Sequence, residues 1–494
     1  MPLPPQPLVY EVNTWVWLAE LAGGHGAPLS LAEVPARAWD ELAATGADAV
    51  WLMGVWERSP AGLAIALADE PLMTDLRHAL PGMGPADVVG SPYCVRRYEA
   101  DERLGGRAGL AAARAALAAR GLGLLLDFVP NHVAPDHPWA TEHPAFFIQG
   151  DAADLERAPA EFLRVGRAVL ARGRDPYFAP WGDVVQLNAF DPGLRAAASA
   201  TLLDLAAQCD GVRCDMAMLV MNDIFAQTWG ERAGPPPATE YWAEVMAPVR
   251  AAHPSFVWVA EAYWDREWAL QQLGFDYCYD KRLYDRLAHE GAASVRGHLH
   301  ADPDYQRRLV RFIENHDEPR AATVFGERQR AAAVAVLTQA GMRLIHEGQL
   351  EGRRVRVPVF LGRRPAEPPD AEIAAFYRQL LAALRLPPLR EGEWRRCDVS
   401  GWEDNRSAEQ LIAWGWAAPT TWAAIVVNYS GAPAQGRIAL PWPELAGRRW
   451  QLADALNDLL LTHPGDSLQA EGLFVDVPAW GAHILVATPT EPTP

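Results

Sequence analysis

Acidic, histidine and arginine side chains recur at the ends of short apolar runs along this 494-residue chain. Asp127 and His132 follow GLGLLL, Arg213 and Asp215 close CDGVRCD, Glu261 follows VWVA, and His316 and Asp317 end RLVRFIENHD. Gathered on one rim, three carboxylates, two histidines and an arginine suit two chemistries. One is cleavage of a glycosidic bond by a nucleophile and an acid; the other is a divalent-metal site. The carboxylates lack a coherent His-rich ligand set, which places the metal-dependent hydrolase second.

Spacing refines the first chemistry. Arg213 and Asp215 are two residues apart, so on a strand they point to the same side. A fixed cation there keeps Asp215 ionised, an effect that lowers a carboxylate pKa by roughly one to three units. Glu261 is flanked by VWVA and by Tyr263 and Trp264. Apolar surroundings of that kind raise a carboxyl pKa.

The elements that would position these residues form a repeat. Apolar runs include VYEVNTWVWL, ADAVWLMGVW, GLGLLLDFVP, CDGVRCDMAM, FVWVAEAYW, FDYCYDKRLY, RLVRFIENHD and AGMRLIHEG. Helix-like stretches lie between them, at 109–120, 194–208 and 328–340. Eight such runs fit parallel strands joined by crossover helices, closed into a (β/α)₈ TIM barrel whose C-terminal strand ends converge on one face. Two regions break the rhythm. Residues 133–181 are irregular and rich in Pro, Asp and aromatics, as a small domain inserted after the third strand would be. From 387 to 494 alternating strands and turn residues suit an antiparallel β-sandwich, ending in a loose tail, TPTEPTP. The barrel then comprises 1–132 and 182–386.

A formal charge of −18 argues against binding nucleic acid or an anionic membrane surface. No apolar segment approaches the roughly 20 residues that span a bilayer. The N-terminus shows no basic stretch followed by an apolar run, and the five cysteines have no metal-ligand spacing. Free thiols in a reducing cytoplasm are the plain expectation. Nothing here fixes an oligomeric state.

Four stretches resemble, in order and spacing, the signature regions of the α-amylase superfamily (glycoside hydrolase family 13). They are Asp127-Phe-Val-Pro-Asn-His132, Gly211-Val-Arg-Cys-Asp215, Glu261 after VWVA, and Glu314-Asn-His-Asp317. Ser91-Pro-Tyr93 and Gln186-Leu-Asn188 support them, as does the layout of the whole chain. The resemblance implies a retaining enzyme acting on α-glucosidic bonds of α-glucans or maltooligosaccharides. Asp215 would be the nucleophile, Glu261 the general acid/base, and Asp317 the third carboxylate, holding sugar hydroxyls. His132, His316 and Arg213 would bind the same glucose, Tyr93 would stack on it, and Asp127 would brace the arginine.

The sequence also departs from that family. The Lys-His pair that many α-amylases carry after the nucleophile is replaced by Met216-Ala-Met-Leu219, and the aspartate of exo-acting relatives three residues before the tyrosine is Gly90. Arg320, in His316-Asp-Glu-Pro-Arg320, resembles exo-acting oligosaccharide enzymes and would contact substrate; His137-Pro-Trp139 and His143-Pro144 resemble maltosyltransferases and trehalose-forming relatives. A glucosyl or maltosyl transferase is therefore the alternative, and a catalytically inactive carbohydrate-binding scaffold a further one. No cofactor is required. Asn131 sits where calcium-binding relatives place one ligand, but the first-strand loop NTWVWLAELAGGHG lacks the alternating Asp/Asn of the other calcium site.

Overall fold

The computed structural model describes residues 3–24 and 28–490. Eight parallel strands close a barrel: β1 (Leu8–Asn13), β2 (Ala49–Met53), β3 (Gly123–Phe128), β4 (Gly211–Cys214), β5 (Val257–Ala260), β6 (Tyr277–Tyr279), β7 (Leu309–Arg311) and β8 (Met342–His346), in the order β1-β8-β7-β6-β5-β4-β3-β2. Each apolar run supplies one strand. Every residue of β1 to β5 is buried, because strands covered on both faces carry continuous apolar side chains rather than an alternation.

The register brings catalytic candidates side by side. Arg213 on β4 lies opposite Asp127 on β3 and Val259 on β5. Gly211 begins β4 where a Cβ would come within 2.6 Å of the Val257 carbonyl oxygen and 2.7 Å of the Leu125 side chain. A side chain there would force the three strands apart.

Helices α1 (Gly106–Ala118), α2 (Pro192–Gln208), α3 (Tyr241–Ala252) and α4 (Gln329–Leu337) overlap the three expected stretches, of which 194–208 lies wholly within its helix. α2 begins with Pro192 after Asp191, whose carboxylate accepts from Leu194 N at 2.8 Å. It buries Leu194, Ala198, Leu202 and Leu205, one stripe at helical spacing. α4 stops at Leu337, short of the 340 that its Ala-rich sequence suggests. The Thr338 carbonyl instead accepts the indole N–H groups of Trp414, at 3.1 Å, and Trp416, at 2.8 Å.

Within 133–181, Gln149–Gly150, Phe162–Val165 and Ala168–Ala171 form a three-stranded antiparallel sheet. His132–Val133 pairs with Val185–Gln186. Past the barrel, Pro387–Glu391 is a short helix, so the strands begin at Glu393 rather than at 387. A six-stranded and a three-stranded antiparallel sheet follow, and Leu411, Val426, Trp450, Ile438, Val475 and Val477 from the two make one apolar core. Thr488 and Pro489, expected in a loose tail, pair with Gln451 and Trp450 in the last strand. Residues 491–494 of that tail, and His25 and Gly26 of the first-strand loop, lie outside the described residues.

Val9–Tyr279 with Val355–Ala366 forms one compact unit, and Asp280–Arg354 with the chain from Glu367 onward a second. All five cysteines are buried thiols outside any disulfide. No helix among the described residues is long and apolar enough to cross a membrane.

Candidate active site

In the first unit the site is built around Arg213, which is 1% exposed. One guanidinium nitrogen, Nη1, meets Asp215 Oδ1 at 2.7 Å; the other, Nη2, meets Glu261 Oε2 at 2.8 Å. The rings of Tyr93, Trp51 and Tyr279 surround the cation at 5.2, 5.4 and 5.7 Å. Burial by itself would lower the Arg213 pKa. The charge of Glu261, followed by Tyr93, Tyr279 and Asp215, outweighs it and holds the pKa well above the ordinary value. Arg213 is a permanent cation shared by two carboxylates.

Asp127 stands 3.9 Å from Arg213 Nη1 and accepts from Gly54 N at 3.1 Å. Its carbonyl takes the Trp56 indole at 2.7 Å. Gly54 turns through φ +80°, where a Cβ would meet Arg58 at 2.8 Å and Pro92 at 2.9 Å. Asp127 therefore ties the loop after β2 to the floor under Arg213.

The chain turns sharply past Asp215. Met216 has φ +40° and ψ +50°, a left-handed conformation costing a non-glycine residue about 1–3 kcal/mol. That turn sends the Met216 N–H to Glu261 Oε2 at 2.6 Å, and Ala217 N donates to the Glu261 carbonyl at 3.0 Å. The Tyr263 hydroxyl donates to Glu261 Oε1 at 2.9 Å. Glu261 is 3% exposed, and it reaches polar groups on the neighbouring strand end and on its own loop that the sequence did not announce.

His132 is buried beside Trp181, ring centroids 5.0 Å apart. Burial lowers its pKa to about 3, against a hydrogen bond to the Tyr93 backbone that raises it. The ring is neutral near pH 7, and its single N–H faces the Tyr93 backbone. Asn131 beside it is tied to Gln186, whose Nε2 donates to Asn131 Oδ1 at 2.9 Å and to the Asn131 carbonyl at 2.8 Å. Calcium takes six to eight oxygens. The Asn131 side-chain oxygen already accepts from one amide donor.

In the second unit, Asn315 Oδ1 accepts from the backbone N–H groups of Asp317 and Glu318, each at 2.9 Å. This side-chain turn sets the loop after β7. Asp317 pairs with His316 at 2.9 Å and keeps its side chain 44% exposed, while His316 is buried. Arg320 is held on three sides: Nη1 meets Glu314 Oε1 at 2.6 Å, His346 Nδ1 at 2.8 Å and the Glu347 carbonyl at 2.7 Å. It is 2% exposed, and these contacts give it a bracing part in this loop beside the substrate contact its position suggests.

The structure thus joins Tyr93, Asp127, Arg213, Asp215 and Glu261 in one group, His316 with Asp317, and Arg320 with Glu314. The hydroxyl role of Tyr263, the Met216 N–H and the His346 contact carry no sequence signature. Gln186 did carry one, in Gln186-Leu-Asn188, without showing that its partner is Asn131.

No protein-family profile matches the chain. It is 23% identical over 415 residues to an α-amylase, MalA, of Haloarcula japonica, covering 80% of this chain and 52% of that protein. The chain therefore spans about half the length of this curated relative. Among solved structures it is similar to a maltogenic α-amylase, AmyB, of Thermotoga neapolitana (TM-score 0.67, 18% identity, 99% of each chain). The α-amylase of Geobacillus thermoleovorans in complex with acarbose superposes comparably (TM-score 0.67, 16% identity, 100% of each chain). So does a cyclic α-maltosyl-(1→6)-maltose hydrolase of Arthrobacter globiformis (TM-score 0.65, 16% identity, 99% of this chain and 100% of that one). The solved structures establish the fold. The sequence similarity to MalA, at 23% identity, agrees with the resemblance that the four motifs carry.

Proposed function

We propose that the chain is a retaining glycoside hydrolase that cleaves α-glucosidic bonds of α-glucans or maltooligosaccharides. The observation that carries this reading is the sharing of Arg213 between Asp215 and Glu261, at 2.7 and 2.8 Å. Two carboxylates within the span of one guanidinium suit the roughly 5–5.5 Å spacing of retaining pairs better than the 6.5–9.5 Å of inverting ones.

Asp215, kept anionic by Arg213, attacks the anomeric carbon and forms a glycosyl ester. Glu261 in its acid form protonates the departing oxygen, then as carboxylate takes a proton from the incoming water. Tyr93, against the guanidinium, offers a face to the sugar ring, and His132, bonded to the Tyr93 backbone, stays neutral near pH 7. Asp317, half exposed, holds sugar hydroxyls, and five buried thiols suit a reducing cytoplasm.

The test is to incubate the protein with maltooligosaccharides, trehalose, sucrose, pullulan and maltose-1-phosphate and to follow products by chromatography and proton NMR. First-formed α-anomers of shortened glucans support the reading; first-formed β-anomers overturn it. Accumulation of longer oligosaccharides would instead assign the transferase alternative. That alternative is favoured by one feature, the apolar and buried stretch Ala217–Val220 where a polar pair contacts the leaving sugar in many relatives.

A further inference from the structure

Glu261 must carry a proton in one half of the proposed cycle and none in the other, yet two of the donors on it leave only one of its oxygens free to carry that proton. The Met216 N–H and the Arg213 cation both address Oε2, and neither can accept a hydrogen bond. They hold Oε2 as the unprotonated oxygen. The third partner differs. Tyr263 reaches Oε1 at 2.9 Å through a hydroxyl, which donates to a carboxylate and accepts from a carboxylic acid.

The backbone is bent to keep it there. Directly after Tyr263, Trp264 and Asp265 both adopt left-handed conformations, φ +61° and +58°, and neither is glycine. Arg266 N closes the turn on the Tyr263 carbonyl at 3.2 Å, and Trp264 packs edge-on against Tyr177 at 4.8 Å. Two consecutive strained residues beside a catalytic candidate mark a segment whose conformation is set by surrounding structure.

We propose that Tyr263 is a positioning residue that supports both protonation states of Glu261 and assigns the mobile proton to Oε1. This rests on the reading of Glu261 as acid/base. In the first step the Oε1 proton passes to the glycosidic oxygen while the anomeric carbon–oxygen bond breaks with its electron pair on that oxygen. The Asp215 carboxylate forms the new bond. Tyr263 keeps its own proton throughout and turns from acceptor to donor as Glu261 becomes anionic. In the second step water adds to the anomeric carbon, the Asp215 ester bond breaks, and the water proton goes to Oε1, returning Tyr263 to the accepting role.

Charged and titratable groups facing Glu261 include Arg213, with Asp215 and Asp127 beyond it, and the Tyr279 hydroxyl. Substitution of Tyr263 leaves all of these in place. A hydrogen bond to a charged acceptor is stronger than one accepted from a neutral acid, so loss of the hydroxyl favours the protonated form of Glu261.

The experiment compares Tyr263→Phe with the unmodified protein and with Glu261→Gln, on a maltooligosaccharide and on an α-glucosyl fluoride. For Tyr263→Phe the expected result is a loss of about tenfold in kcat/KM on the oligosaccharide, a smaller loss on the fluoride, and a basic limb of kcat/KM displaced upward by ~0.5–1 pH unit. Equal losses on both substrates with an unmoved pH profile would show a merely structural tyrosine and overturn the proposal, as would a basic limb displaced downward. Glu261→Gln separates the two levels of the argument. If it retains normal rates on the oligosaccharide, the acid/base reading itself fails. If it is crippled there but not in its first step with the fluoride, that reading stands and the Tyr263 result alone decides.

Discussion

Arg213 and Arg320 are both almost wholly buried, and each sits against a glutamate at hydrogen-bond distance. Arg213 spreads its charge over Asp215 and Glu261, which come from two different strand ends, and the far oxygen of Glu261 meets a hydroxyl. Arg320 meets Glu314, and both oxygens of that glutamate are taken: Oε1 by Arg320 and Oε2 by Ala321 N at 2.7 Å. Glu314 is fully buried. Burial raises its pKa, with the charge of Arg320 opposing the shift. The same pair of residue types makes a reactive group in one place and a clasp in the other. What separates them is the second carboxylate, Asp215, that Arg213 holds beside Glu261.

The largest effects should fall on the Arg213 side. Asp215→Asn removes the atom that forms the glycosyl ester, and turnover of every substrate should drop on the order of 10⁴-fold or more in steady-state assays. Glu261→Gln should cost about 10²–10⁴-fold on ordinary oligosaccharides. Its first step with a glycosyl fluoride should be far less affected, and azide, which needs no deprotonation, should speed breakdown of the intermediate. Azide rescue of Asp215→Asn but not of Glu261→Gln would mean that the two roles are exchanged.

On the Arg320 side the effect should appear in stability. Glu314→Gln leaves a buried guanidinium without its countercharge, a defect of about 3–5 kcal/mol. Urea unfolding should register that loss, with kcat of the folded protein within roughly tenfold of normal. A wild-type unfolding midpoint combined with a 10³-fold rate loss would erase the distinction between the two arginines.

A smaller effect tests His132. Its folded pKa of about 3 lies below the ordinary 6.5, so between those values the unfolded chain binds the extra proton and the folded one does not. Stability then falls as the pH drops through that window and is restored as it rises. His132→Asn should flatten the dependence of the unfolding midpoint between pH 3 and 6.5, and an unaltered slope would count against a neutral buried ring. The smallest expected effect is none at all. Dialysis against a strong chelator should leave activity intact, since the first-strand loop NTWVWLAELAGGHG lacks the alternating Asp/Asn of a calcium site. Loss of activity restored by calcium and not magnesium would contradict this.

Much of the architecture was legible in the sequence because barrel strands buried on both faces must be continuously apolar, as VWLM, LLL and VWVA are. The positions of Arg213, Asp215 and Glu261 followed from their places at strand ends. Features made by the backbone were not legible. Nothing in Met-Ala-Met announces that Met216 takes a left-handed turn to aim its N–H at Glu261, nor do Trp264 and Asp265 carry the glycine that usually marks such a bend. Tyr263 read as part of an apolar flank because residue type does not show which end of a tyrosine faces a carboxylate. The end of α4 at Leu337 depends on Trp414 and Trp416, more than seventy residues away in sequence. Local propensity carries no record of such partners.

In the proposed reaction Asp215 becomes covalently attached to sugar while Glu261 serves it with protons. Incubating Glu261→Gln with an α-glucosyl fluoride, quenching in acid, digesting and mapping the peptides by mass spectrometry tests this directly. The expected result is a glycosyl adduct on Asp215, formed at a rate matching fluoride release and discharged by azide. An adduct on another carboxylate, or fluoride released with inverted product and no adduct, would contradict it.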